Sequence, residues 1–162
     1  MTTTLILMRH ANAVDRLEAE DDFQRGLTAR GREDSAAVAD GLREAGLRVD
    51  LALVSPAWRT RQTFDQLVPM IGDPAMEDPM ALYHASTDML ERAVRQVGDR
   101  ASTLLLVGHN PGIGGFAHKL AQACGATAHL PLGYPTSTAT VFTLKDGDLA
   151  RPAFQAIFPD QG

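Results

Sequence analysis

Apolar positions along this chain arrive in two rhythms. Short unbroken runs, Leu5-Ile6-Leu7-Met8, Leu51-Ala52-Leu53-Val54 and Thr103-Leu104-Leu105-Leu106-Val107, read as buried strands. The first extends from Thr4 to Arg9. Between the runs the spacing becomes helical. Thr28 reads as an N-cap, Val38, Leu42 and Ala45 follow at i, i+4 and i+7, and Gly46 sits where a helix stops. Phe64, Leu67, Val68 and Ile71 mark a second helix ending before Gly72-Asp73-Pro74. A third carries Met89, Leu90, Ala93, Val94 and Val97, entered through Ser86-Thr87, and a fourth carries Ile113, Phe116, Ala117, Leu120 and Cys124. The chain closes on a hairpin, Thr138 to Leu144 and Pro152 to Phe158, turning at Lys145-Asp146-Gly147-Asp148. The acidic stretch Glu18 to Asp22 reads as loop, as does Asp73 to Pro79, with room for a short strand.

Strand alternating with helix predicts an α/β fold with a mainly parallel sheet covered on both faces. Such sheets bind ligands beyond the carboxyl ends of their strands. Three strand ends here carry polar residues of one kind: Arg9-His10, then Ser55-Pro56-Ala57-Trp58-Arg59, then Gly108-His109-Asn110-Pro111-Gly112. Any one of these, read alone, is an ordinary turn or solvated strand end. Together they put two guanidinium groups and two imidazoles at one edge of the sheet.

Composition narrows the field. With 162 residues, 44% apolar and 22% charged, the chain suits one soluble domain spanning 1–162. A net charge of −5 speaks against nucleic acid or an anionic membrane as partner. The single cysteine, Cys124, cannot form an internal disulfide, and no run is long enough for a signal peptide or membrane span. A cytoplasmic monomer is expected.

The chemistry of the three strand ends is that of phosphate. Arg9 and Arg59 are permanent cations whose planar forks match phosphoryl oxygens. A neutral His10 can attack phosphorus through one ring nitrogen if the other is held by an acceptor. His109 can donate to a phosphoryl oxygen, with Asn110 and the helix start at Pro111-Gly112 beside it. Arg25, in the loop after the first strand, either reaches the phosphate or pairs with Asp21 or Asp22. Arg61, His118 and His129 read as surface or packing residues, and Trp58 as cleft wall or core. Gly108 to Gly115 is glycine-rich but lacks the Gly-Lys-Ser/Thr of a nucleotide-binding loop. No metal-ligand spacing occurs, so neither metal nor cofactor is expected.

These segments resemble the signatures of the histidine phosphatase superfamily, the phosphoglycerate mutase-like proteins. Leu7-Met8-Arg9-His10-Ala11 is similar to its Arg-His-Gly motif, with Ala11 for glycine. Arg25-Gly26-Leu27-Thr28-Ala29-Arg30-Gly31 is similar to Arg-Pro-Leu-Thr-x-x-Gly, with Gly26 for proline. Ser55-Pro56-Ala57-Trp58-Arg59-Thr60-Arg61-Gln62-Thr63 follows Ser-Pro-x-x-Arg-Ala-x-Gln-Thr, and Val107 to Pro111 matches the second-histidine motif. Short length and the His109 to Gly112 form resemble the SixA branch of phosphohistidine phosphatases. The resemblance implies a three-layer α/β/α sandwich with no large cap insertion and no metal. It also implies His10 as nucleophile, with Arg9, Arg59 and His109 completing a phosphate pocket.

Larger members of that family carry an acid that protonates an alkoxide leaving group. The matching stretch here, Ala81-Leu82-Tyr83-His84-Ala85-Ser86, holds no carboxylate, although Glu77, Asp78 and Asp88 are near in sequence and His84 is a candidate acid. Water has a pKa of about 15.7, and a simple alcohol likewise needs a proton as it leaves. Imidazole, with a pKa of about 6.5, leaves more readily. The expected function is thus a metal-independent phosphatase acting on phosphohistidine of a phosphorelay or phosphotransfer protein. The alternatives are a phosphatase for a small phosphomonoester and a non-catalytic phosphate-binding module.

Overall fold

The structure is a computed structural model and describes residues 2–160. Six strands form one sheet: β1 (Thr2–Arg9), β2 (Leu51–Val54), β3 (Ala75–Glu77), β4 (Thr103–Gly108), β5 (Ala139–Lys145) and β6 (Pro152–Phe158). Their spatial order is β3-β2-β4-β1-β5-β6. The first four are mutually parallel, and β5 and β6 close one side as antiparallel strands. The mainly parallel sheet expected from the alternation is present, and the short strand inside the Asp73–Pro79 loop is β3. The first strand begins two residues before the expected Thr4, because Thr2 and Thr3 pair with Lys145 and Leu144 of β5. Cross-strand pairing, not hydrophobicity, recruits them.

Four helices complete the fold: α1 (Ala29–Glu44), α2 (Trp58–Ile71), α3 (Thr87–Val97) and α4 (Gly112–Ala123). Side chains along the central strands alternate between two cores, as a pleated sheet requires. Ile6, Met8, Ala52, Val54, Leu105 and Val107 pack on Val38 and Leu42 of α1 and Phe64, Leu67 and Ile71 of α2. Leu5, Leu7, Leu53, Leu104 and Leu106 pack on Leu90 and Val94 of α3 and Ile113, Phe116 and Leu120 of α4. The central strands read as continuous apolar runs because both faces are covered.

Local signals set the helix ends. Thr28 Oγ1 accepts a hydrogen bond from the Gly31 amide at 3.0 Å, capping α1. Ser86 does the same for α3, accepting from Met89. Gly72 ends α2 in the left-handed conformation, φ +96°. Among the described residues no helix is long and apolar enough to cross a membrane.

Candidate active site

Sheet register delivers the first pair. Arg9 of β1 lies opposite Gly108 of β4, and the His10 amide donates to the Gly108 carbonyl at 3.0 Å. The next residue on the β4 side is His109. Because β4 lies between β1 and β2, the loop after β4 is flanked by His10 on one side and by the start of α2, with Arg59, on the other. The His10 and His109 rings have centroids 5.4 Å apart. Arg59 Nη2 reaches His109 Nδ1 at 3.2 Å. The structure therefore brings Arg9, His10, Arg59 and His109 together.

The tautomer of His10 follows from its partner. Nδ1 lies 2.8 Å from the Ala11 carbonyl oxygen, which only accepts, so Nδ1 carries the proton. Nε2 then bears the lone pair and makes no hydrogen bond to the described residues. Burial lowers the His10 pKa to about 4, the neighbouring cations Arg59, Arg9 and Arg25 pushing the same way and the Ala11 contact opposing them. The imidazole is neutral at pH 7, as a nucleophile must be. Ala11 is itself fixed, its amide donating to Thr63 Oγ1 at 3.0 Å while Thr63 donates to the Arg59 carbonyl at 2.7 Å.

His109 is also neutral. A guanidinium only donates, so Nδ1 accepts from Arg59 and Nε2 carries the proton, which goes to Ser55 Oγ at 2.7 Å. Burial first, then the charge of Arg59, lowers its pKa to about 2. Both ring nitrogens thus have protein partners. The donation to a phosphoryl oxygen foreseen for His109 requires an exchange of the Arg59 contact. Ser55 accommodates either tautomer: its hydroxyl accepts from a protonated Nε2 and can turn to donate to an unprotonated one when solvent exchange has put the imidazole proton on Nδ1.

Arg59 is 2% exposed and lies along the pocket floor. Its Nη1 donates to the Asp22 main-chain oxygen at 2.7 Å and its Nη2 to Asp22 Oδ2 at 3.1 Å. The Nε–H groups of Arg9 and Arg59 are buried without an acceptor among the described residues. Arg9 donates through Nη1 to the Tyr134 carbonyl at 3.3 Å, and burial with the nearby Arg59 charge lowers its pKa. Two mutually repelling cations with unpaired donors form a site short of negative charge, the condition an oxyanion relieves.

Asp22 is the residue the sequence did not single out for this site. The acidic loop folds back so that its last carboxylate enters the pocket. Oδ2 accepts from the Tyr83 hydroxyl at 2.5 Å and from His84 Nε2 at 3.0 Å, and Oδ1 from Arg25 at 3.0 Å. Burial alone would raise its pKa, but the hydrogen bonds from Tyr83, His84 and Arg25 and the charge of Arg59 hold it well below the usual carboxylate range. Asp22 is therefore ionised and cannot donate a proton at neutral pH. The sequence expectation of no carboxylate concerned only the Ala81–Ser86 stretch; a carboxylate arrives from a different loop. The pattern Asp-x-x-Arg at Asp22 and Arg25 was its one local signal.

Arg25 takes the ion pair with Asp22 and also donates from Nε to the Val14 carbonyl at 2.7 Å, which leaves it at the pocket edge. Asn110 is committed elsewhere. Its amide donates to the Gly133 and Tyr134 carbonyls, and its Oδ1 accepts from Gly114. Its side chain thereby ties the loop after β4 to the Gly133–Tyr134 segment. Trp58 is 42% exposed beside Gly26, a wall residue and not core. His129 stacks on Phe154, away from the site.

A neutral imidazole with one unengaged ring nitrogen, set among arginines at parallel-strand ends, suits phosphoryl transfer. Comparison with known proteins gives the family. Residues 5–81 match the profile of the histidine phosphatase superfamily (branch 1). A Picosynechococcus protein of unassigned function is 32% identical over 127 residues, 77% of this chain and 76% of that one. The phosphohistidine phosphatase SixA of Escherichia coli is 26% identical over 145 residues, 88% of this chain and 86% of the relative. The crystal structure of a protein of Agrobacterium tumefaciens, assigned as a phosphohistidine phosphatase SixA, superimposes with a TM-score of 0.86 at 27% identity, over 96% of this chain and 97% of the other. The chain belongs to the histidine phosphatase superfamily, in its SixA-type branch, and is a hydrolase.

Proposed function

We propose that this hydrolase removes the phosphoryl group from phosphohistidine on a protein, without a metal, through a phosphoenzyme on His10. In the first step the Nε2 lone pair of His10 attacks phosphorus, the P–N bond of the substrate breaks, and its electron pair stays on the departing imidazole. Water then attacks the phosphoenzyme, the bond to Nε2 breaks, and phosphate leaves. Arg9 and Arg59 hold the equatorial oxygens, and His109 donates to one of them once Arg59 turns from its Nδ1. Arg25 screens the incoming charge from the rim. Loose phosphoryl transfer needs positioning and charge stabilisation more than covalent help, which suits a site built from cations.

The carrying observation is the His10 tautomer: Nδ1 tied to Ala11 and a free Nε2, held neutral by burial. The protein substrate draws support from the relatives described as phosphohistidine phosphatases. A second support is the placement of exposed apolar side chains. Leu17, Trp58, Met80, Met89 and Leu132 all lie on connections or first helical turns at the catalytic end of the sheet. Exposed apolar groups gathered around a site suit a macromolecular partner.

The test is turnover of a phosphohistidine-bearing phosphotransfer protein by the native chain, with and without chelator, and by His10→Ala. Native activity that survives chelation and disappears in a folded His10→Ala protein is expected. Hydrolysis retained by that variant overturns the mechanism, and loss on chelation overturns the metal-free reading.

A further inference from the structure

His84 stands outside the reaction described above, yet its geometry is that of a proton donor. Its backbone is left-handed, φ +53°, a strained choice for a residue with a side chain. Its ring lies against His109, centroids 4.7 Å apart, and against Tyr83 at 4.3 Å. Three imidazoles thus line one wall of the pocket, from His10 at the floor through His109 to His84 at the mouth, where the side chain is 49% exposed. In an in-line displacement the leaving group departs on the side of phosphorus away from His10 Nε2.

The partner of His84 fixes its protons. Asp22 is ionised and accepts only, so the 3.0 Å contact at Nε2 is an N–H donated to Oδ2. Nδ1 has no hydrogen-bond partner among the described residues. A carboxylate on one ring nitrogen orients the ring and leaves the opposite nitrogen to handle a transferable proton, the division of labour in a carboxylate–histidine pair. Tyr83, donating to the same Oδ2 at 2.5 Å, and Arg59 and Arg25 hold the carboxylate in place.

We infer that His84, oriented by Asp22, is a catalytic general acid that lets the site hydrolyse phosphomonoesters of poor leaving groups, alkyl phosphates, in addition to P–N substrates. As His10 Nε2 bonds to phosphorus, the P–O bond breaks and its electron pair goes to the alkyl oxygen. That oxygen takes the proton from His84 Nδ1 and departs as the alcohol. His84, now neutral, takes a proton from the water that attacks the phosphoenzyme, and the acid is restored as phosphate leaves. An aryl leaving group such as p-nitrophenolate needs no such proton, so the role is selective for substrate.

The experiment compares kcat/KM on glycerol 2-phosphate, p-nitrophenyl phosphate and a phosphohistidine protein for the native chain and for His84→Asn, a residue that tolerates left-handed backbone. The expected result is a loss of about 100-fold or more on the alkyl ester, with a loss on p-nitrophenyl phosphate at least tenfold smaller. A second variant, His84→Gly, regains alkyl-ester activity when imidazole is added. Equal losses on all substrates, no rescue, or a native chain inert towards the alkyl ester overturns the inference. Turnover of the phosphohistidine protein in that last case leaves the proposed function standing. Selective alkyl-ester loss with an inert phosphohistidine protein does the reverse.

Discussion

Asp22 and Arg59 make a two-point contact: one guanidinium donates to both the main-chain oxygen of Asp22, at 2.7 Å, and its carboxylate, at 3.1 Å. Arg25 adds a second cationic donor to the same carboxylate. An internal anion thus sits on the groups that a phosphoryl dianion would use.

Asp22→Asn removes the competing charge and leaves an amide of the same shape. Inorganic phosphate should then inhibit more strongly, its Ki falling on the order of threefold, as suits a partly exposed pair worth well under 1–2 kcal/mol. Competitive inhibition of p-nitrophenyl phosphate hydrolysis measures it. A Ki that rises shows Asp22 to be a support for Arg59 and not its competitor.

His10 and His109 are buried with pKa values lowered to about 4 and about 2, below the ordinary 6.5 of an unfolded chain. The unfolded state binds more protons between those limits, so their contribution is whole above pH 6.5 and falls away as the pH drops through the folded values. For His10 the loss reaches roughly 3 kcal/mol by pH 4. Urea midpoints should decline steadily from pH 7 to pH 4, and His10→Asn should flatten part of that slope. A midpoint insensitive to acid contradicts the burial argument.

Ser55→Ala deletes the hydroxyl that accepts from His109 Nε2 and can turn to donate to it. The unpaired, buried N–H costs about 1–3 kcal/mol of stability. Beyond that, kcat should fall roughly tenfold or more with KM little changed, because the Nδ1–H tautomer loses the hydroxyl that would donate to its Nε2. A rise in KM alone would mark Ser55 as a binding residue only.

Glycines at the α4 entrance give a packing test. A Cβ on Gly112 would lie 2.0 Å from the Ala85 carbonyl oxygen, whereas one on Gly108 meets nothing nearer than 3.7 Å. Gly112→Ala should lower the melting temperature markedly, the overpacking costing about 1–3 kcal/mol, and should displace the His84–Ala85 turn. Gly108→Ala should be close to native in stability. Similar melting temperatures for the two variants would refute the contact.

The order of strands and helices was legible because each carried one rhythm. Val38 and Leu42, or Ile113 and Phe116, face a core in the structure as their spacing demands. Four polar residues of the pocket were legible because strand ends in a parallel sheet gather by topology. Asp22 was not, since nothing in an acidic loop says which carboxylate folds inward. That choice is made by Tyr83 and Arg59, distant in sequence. The partners of Asn110 were not legible for a related reason: its place beside His109 is a property of the chain, whereas Gly133 and Tyr134 reach it only through the tertiary structure. Ser55 and Thr63 were visible within a motif, but their work of setting a proton and pinning Ala11 emerges only from distances.

The pairing of Arg9 with Gly108 carries one more consequence. Side chains alternate along a strand, so a slip of a single residue between β1 and β4 would send Arg9 and His10 to opposite sides of the sheet from where they now point. The same slip would turn Leu5 and Ile6 out of their cores. Turnover is therefore an assay of assembly: a chain that hydrolyses phosphate has already chosen the right alignment of its central strands, and a misaligned one is silent before it is unfolded.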